Sequence, residues 1–144
     1  MRKGKRRKSY GKRTDFVEQG VEIPPRGFSR GRIPYFMEGQ FYVGYGCYRK
    51  SLFLPQAWLG KRVALEFQAA FQAAEVYVNG QLAGSHKGGY TPFVVDMTEL
   101  LRPGENLVFV RVNNLWDSRQ APRAGEHVFN GGIYRDVSLL VTDP

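Results

Sequence analysis

The dipeptide Asn79-Gly80, set between "EVYV" and "QLAG", constrains the fold more than any other feature of the chain. Asn and Gly both accept the left-handed backbone that the two central positions of a type I′ turn require. That turn matches the twist of an antiparallel strand pair. Val76 and Val78 share one face of the first strand, and Leu82 resumes on the returning one. The stretch predicts a β-hairpin and gives Asn79 a structural role. An isolated hairpin is marginal in water, so further strands must cover its apolar face.

Those strands are written in the same period of two. "CYRKSLFLP" (Cys47 to Pro55) reads as a strand ended by proline. In "KRVALEFQ", Val63, Leu65 and Phe67 oppose Ala64 and Glu66, as in a half-buried strand. "NLVFVRVNN" (Asn106 to Asn114) sets Leu107, Phe109 and Arg111 against Val108, Val110 and Val112. Both of its faces are apolar at first, which predicts a central strand covered on two sides. "IYRDVSLLVT" (Ile133 to Thr142) is the last strand. The one helical signal is "DMTELLRPGEN", where Asp96 caps a first turn, Glu99 reaches back to it and Pro103-Gly104 stops it. With 17 Gly and 8 Pro punctuating the chain, about eight short strands at this spacing predict an all-β, jelly-roll β-sandwich. The expected organisation is a basic, disordered tail over 1–14 and one sandwich domain over 15–144. Within that domain, 15–43 is an irregular lead-in and 44–144 the core.

The formal charge of +8 raises a nucleic-acid reading, and its location answers it. Eight of the 21 basic residues (Arg2, Lys3, Lys5, Arg6, Arg7, Lys8, Lys12 and Arg13) lie in the tail, leaving 13 to balance the 13 acidic ones. The folded part therefore has no basic surplus to grip a phosphate backbone. Nucleic-acid binding would rest on the tail alone. No apolar run follows those charges, so the tail does not read as a secretory signal. No segment approaches the ~20 apolar residues of a membrane span. The single cysteine, Cys47, excludes an internal disulfide and a multi-cysteine zinc site, and reads as a small buried side chain in its strand. No cofactor or metal is expected.

Three stretches, "GYGCYRKSLFLP", "AEVYVNGQLAGSHKGGYTPFVVDMTELLRPGENLVFVRVNN" and "FNGGIYRDVSLLVTDP", together resemble the N-terminal sugar-binding domain of glycoside hydrolase family 2, the β-galactosidase, β-mannosidase and β-glucuronidase group. The resemblance covers roughly residues 44–144 and implies a sandwich of the galactose-binding-like type. In such enzymes this domain precedes an immunoglobulin-like sandwich and a (β/α)8 barrel that carries two catalytic glutamates. The implied role is a non-catalytic domain of a β-galactosidase-like glycosidase, lending loops to the carbohydrate subsite of a barrel absent from this chain. A free-standing carbohydrate-binding module and a basic-tailed nucleic-acid binder are the alternatives. The family's Pro-His-x-Trp element stands here as Pro24-Pro25-Arg26-Gly27-Phe28, so no role passes to its histidine.

By the same resemblance, Glu126 occupies a place where relatives often carry an acid, with His127 adjoining, and Glu38 and Gln40 fall in the lead-in. Trp116 could stack on a sugar face, while His86, Lys87 and Tyr90 read as loop buttresses or as packing for the next domain. Retaining glycoside hydrolysis needs two carboxyl groups about 5 Å apart, one of them held protonated. Asp96, Glu99 and Glu105 are absorbed by the helical turn, Glu66 and Glu75 by polar strand faces, and Asp136 by the last strand. Glu38, Asp117 and Glu126 remain in the two long loops with no spacing that pairs them, so the chain is expected to be inert alone.

Overall fold

The computed structural model describes residues 44–115, 117, 119–120 and 131–144. The predicted tail and lead-in, and the site candidates Glu38, Gln40, Trp116, Glu126 and His127, lie outside them. Nine strands follow in order: β1 (Tyr45–Leu54), β2 (Arg62–Phe67), β3 (Ala70–Phe71), β4 (Ala73–Val78), β5 (Gln81–Lys87), β6 (Phe93–Asp96), β7 (Gly104–Asn113), β8 (Gly132–Ile133) and β9 (Val137–Thr142). They form a four-stranded sheet in the order β1-β7-β4-β5 and a three-stranded sheet in the order β6-β2-β9, with β3 and β8 as a short bridge. Every pairing is antiparallel.

Alternation puts the core between the two sheets. Val76 and Val78 of β4 and Val108, Val110 and Val112 of β7 face Val63, Leu65 and Phe67 of β2 and Val137, Leu139 and Val141 of β9. Each such side chain contributes roughly 1.5–3 kcal/mol when fully buried. The all-β sandwich expected from the periodicity is the fold observed.

The hairpin is joined as the sequence predicts, with Asn79 at φ 51° and Gly80 at φ 84°. Asn79 does more than turn the chain. Its Nδ2 donates to Leu100 O and to Asn106 Oδ1, and its Oδ1 accepts from Leu107 N–H. The helical signal is realised as one 3-10 turn, Thr98–Leu100. Asp96 Oδ1 accepts from Thr98 N–H at 3.0 Å and from its hydroxyl at 2.6 Å.

Three local expectations change. β7 is central, but Leu107 is 42% exposed and Phe109 half-buried, so among the described residues its outer face carries no second covering layer. Cys47 is half-buried, on the strand row that pairs with Arg111. Ile133 to Thr142 is two strands, because Tyr134–Asp136 leave the ladder. There the Tyr134 hydroxyl donates to Gly89 O at 2.6 Å, and Asp136 O accepts from Gln68 N–H.

Glu75, assigned to a polar strand face, is bonded there. Its Oε2 accepts from the Tyr77 hydroxyl at 2.8 Å and from Arg111 Nη2 at 2.6 Å. The Tyr77 bond first, and Arg111 next, hold its pKa below the ordinary 4.5. The stability this group contributes is therefore complete above about pH 4.5 and is lost as the carboxyl protonates below it. Glu75 is partly exposed, which limits the effect to about 1 kcal/mol or less. Urea titrations should show Glu75→Gln less stable than the parent at neutral pH, with the gap closing below about pH 4. A gap that does not change with pH would contradict this account.

Candidate functional site

One end of the sandwich gathers the loops, and the strand registers say which end. Asn113 closes β7 opposite both Tyr45, where β1 begins, and Ala73, where β4 begins. Ala73 in turn pairs with Lys87 at the end of β5. On the other sheet, Phe67 at the end of β2 pairs with Phe93 and Val137, the first residues of β6 and β9. The turn at Asn79-Gly80 and the 3-10 turn lie at the opposite end.

Both long loops are anchored at this rim. Gly44 N–H donates to Asn114 Oδ1 at 2.7 Å, and Asn114 N–H donates to Gly44 O at 3.1 Å. The chain therefore enters the sandwich where the second loop leaves it. That loop returns at Gly131, which packs on the Asn114 amide so closely that a Cβ would collide with it. Ile133 N–H then donates to the Tyr48 hydroxyl. Residue 44 ends the segment that carries Glu38 and Gln40. Residues 115 and 131 flank the one that carries Trp116, Glu126 and His127.

A cleft of about 420 Å³ opens at the rim, lined by Gln72, Ala73, Asn113, Leu115, Asp117, Arg119 and Gln120. Its floor is fixed by the backbone: Gln72 N–H donates to Asn113 O at 2.8 Å, and Gly88 N–H donates to Gln72 O at 2.9 Å. Its wall is an ion pair. Arg119 donates from Nε to Asp117 Oδ1 and from Nη2 to Oδ2, each at 3.0 Å. The Arg119 N–H also donates to Oδ1, and Gln120 Nε2 donates to Oδ2. Four bonds thus set the carboxylate plane, as the Asx-turn spacing from Asp117 to Arg119 permits.

The Arg119 hydrogen bonds hold the Asp117 carboxyl far below the usual carboxylate range. That direction is opposite to the one the protonated acid of glycoside hydrolysis needs. Among the described residues, every carboxyl whose pKa the fold shifts is shifted downward. The described residues contain no cluster of His, Cys, Asp and Glu able to hold a metal ion.

The cleft presents amides, one carboxylate and one guanidinium, whose charges cancel. Gln120 Oε1 is buried there with no hydrogen-bond partner among the described residues. Arg119 keeps 86% of its side chain in solvent while bonded to Asp117. Such a set donates and accepts in fixed directions without net charge, which suits hydroxyl groups better than phosphate. Sequence reasoning reached Asp117 only as a leftover loop acid and did not reach Gln72, Asn113, Arg119 or Gln120. The local signal was the Asp117-x-Arg119 spacing. His86, expected as a buttress, is one: it stacks on Phe93 at 4.2 Å and lies 3.0 Å from Thr91 Oγ1.

Comparison with known proteins gives the family of the chain and agrees with its fold. The family model described as glycosyl hydrolases family 2, sugar binding domain, matches residues 36–144. A β-glucuronidase of Bacteroides fragilis is 44% identical over 101 residues, covering 69% of this chain and 14% of that protein. A β-galactosidase of Thermoanaerobacter pseudethanolicus is 36% identical over 135 residues, covering 88% and 18%. Among solved structures, a Bacteroides uniformis β-glucuronidase superposes with a TM-score of 0.67 at 41% identity, over 71% of this chain and 12% of that one. The chain thus spans less than a fifth of the length of each of these proteins.

Proposed function

The chain belongs to the family of sugar-binding domains of family 2 glycosyl hydrolases, and from that premise we propose that its rim cleft bonds carbohydrate hydroxyls without cleaving glycosidic bonds. The Asp117–Arg119 pair carries this reading. It is a hydrogen-bonded, charge-balanced set of donors and acceptors at the rim where both long loops are anchored, and its one carboxyl is shifted away from the protonated form. Glu126 and His127, and secondarily Glu38, Gln40 and Trp116, would add contacts from the loops anchored there. The domain spans 15–144 in this proposal. Its partners are a β-glycoside and, within a parent enzyme, an immunoglobulin-like domain and a (β/α)8 barrel that performs the hydrolysis. The small share of each relative that the chain covers supports a contributing role over a self-sufficient one.

Purified chain should leave aryl β-glucuronides and aryl β-galactosides intact. Methyl glycosides should bind with Kd on the order of 10 mM, about 2.7 kcal/mol. Asp117→Asn, which removes the charge and one of the two acceptor oxygens that Arg119 and Gln120 share, should weaken that binding about three- to tenfold. Turnover by the pure chain, or an unchanged affinity in Asp117→Asn, would contradict the proposal.

A further inference from the structure

We propose that Tyr90 is a stacking platform for a second ring of the ligand, so that the cleft and Tyr90 together select a glycoside longer than one sugar. The inference rests on the carbohydrate reading of the cleft. Its observations concern a different group of residues.

Tyr90 is 51% exposed, yet it is held on two sides. Phe71 meets its ring at 5.7 Å and 66°, and Tyr134 meets it at 6.5 Å and 71°. Both contacts are edge-type arrangements that fix the ring without covering it. The supports are themselves fixed. Phe71 is buried, and Gly89 lies so close to its ring that a Cβ there would overlap it. The Tyr134 hydroxyl donates to Gly89 O, and the Arg135 guanidinium lies 5.7 Å from the Tyr134 ring centroid. A half-exposed aromatic on a surface loop ordinarily keeps rotamer freedom. Here the two edge contacts restrict it before any ligand arrives, which lowers the ordering cost of binding.

Position links the ring to the cleft. Phe71 directly precedes Gln72 of the cleft floor, and Gly88 of the Tyr90 loop donates its N–H to Gln72 O. The surroundings indicate what the ring would meet. Lys87 and Thr91 beside it in sequence, and Arg135 and Asp136 beside its support Tyr134, are exposed polar residues, so the ring stands among polar neighbours. A protein partner asks for a wider apolar patch. A pyranose or aryl ring offers a carbon face to the aromatic and, for a sugar, hydroxyls to the polar neighbours.

The test is an NMR titration of labelled chain with three ligands: a methyl β-glycoside, the phenyl β-glycoside of the same sugar, and a β-linked disaccharide ending in it. The parent should bind the two-ring ligands about three- to tenfold more tightly than the methyl glycoside. Tyr90→Ala should abolish that preference and leave methyl glycoside affinity unchanged, while Tyr90→Phe should retain it. No preference in the parent, or one that survives Tyr90→Ala, overturns the proposal. So does an equal loss for all three ligands, which would place Tyr90 in the cleft's own support. If Tyr90→Ala instead changes only self-association in sedimentation, the platform is a protein contact and the proposal fails. Parent protein that binds none of the ligands overturns the cleft reading itself, an outcome distinct from the others.

Discussion

Asn106→Ala is expected to lower the free energy of unfolding by about 2–3 kcal/mol, the cost of losing four partly buried hydrogen bonds at once. Asn106 is 3% exposed. Its Oδ1 accepts from Arg102 N–H and from Asn79 Nδ2, each at 2.8 Å. Its Nδ2 donates to Arg102 O at 2.8 Å and to Gly104 O at 3.0 Å. One amide thereby closes the entry to β7 and ties it to the hairpin turn. Alanine removes all four bonds and leaves the Arg102 and Gly104 backbone groups without their partly buried amide partner. For a folded unit of about 100 residues the melting point should fall by roughly 10–20 °C. Asn106→Asp is a sharper probe: it keeps an acceptor but loses both donations and adds charge, so it should be no better than alanine at neutral pH. A loss below about 1 kcal/mol for Asn106→Ala would show that the network is dispensable.

Gly132→Ala is the second large effect, at roughly 2–4 kcal/mol. Gly132 sits at φ 75°, a left-handed backbone that favours glycine, and a Cβ there would run into the Tyr48 hydroxyl. That hydroxyl accepts the Ile133 N–H at 3.1 Å. The substitution therefore breaks the contact that returns the second loop to the rim. Tyr48→Phe alone should cost about 1 kcal/mol for the lost bond. In combination it removes the obstructing atom, so the double variant should be more stable than Gly132→Ala alone. Urea unfolding of the four proteins, with unchanged slopes, measures the coupling. Strictly additive losses would mean that the clash is relieved elsewhere.

Half-buried strands print a period of two in the sequence, which is why β2, β4 and β7 were legible. Asn79-Gly80 was legible because its turn type restricts residue choice. The break in Ile133 to Thr142 was not. It is imposed by Gly89 and Gln68, far away in sequence, and leaves the apolar pattern of Val137, Leu139 and Val141 intact. Leu107 and Phe109 misled in the opposite sense, because apolar residues on an exposed sheet face look locally like core. The cleft was legible only in the Asp117 region. Gln72 and Asn113 join it through the β4–β7 register, a long-range property that no local motif carries. The loop residues that family resemblance selects, Glu126 and His127 first among them, rest on that resemblance.

Titrating isotope-labelled protein with a methyl β-glycoside and mapping the amide shifts tests most directly whether the rim meets the carbohydrate. Saturable shifts should centre on Gln72, Asn113, Asp117, Arg119 and Gln120, while Asn79, Leu100 and Asn106 at the far end stay still. Shifts centred on that far end or on the open face around Leu107, or no saturable change at about 100 mM sugar, would contradict it.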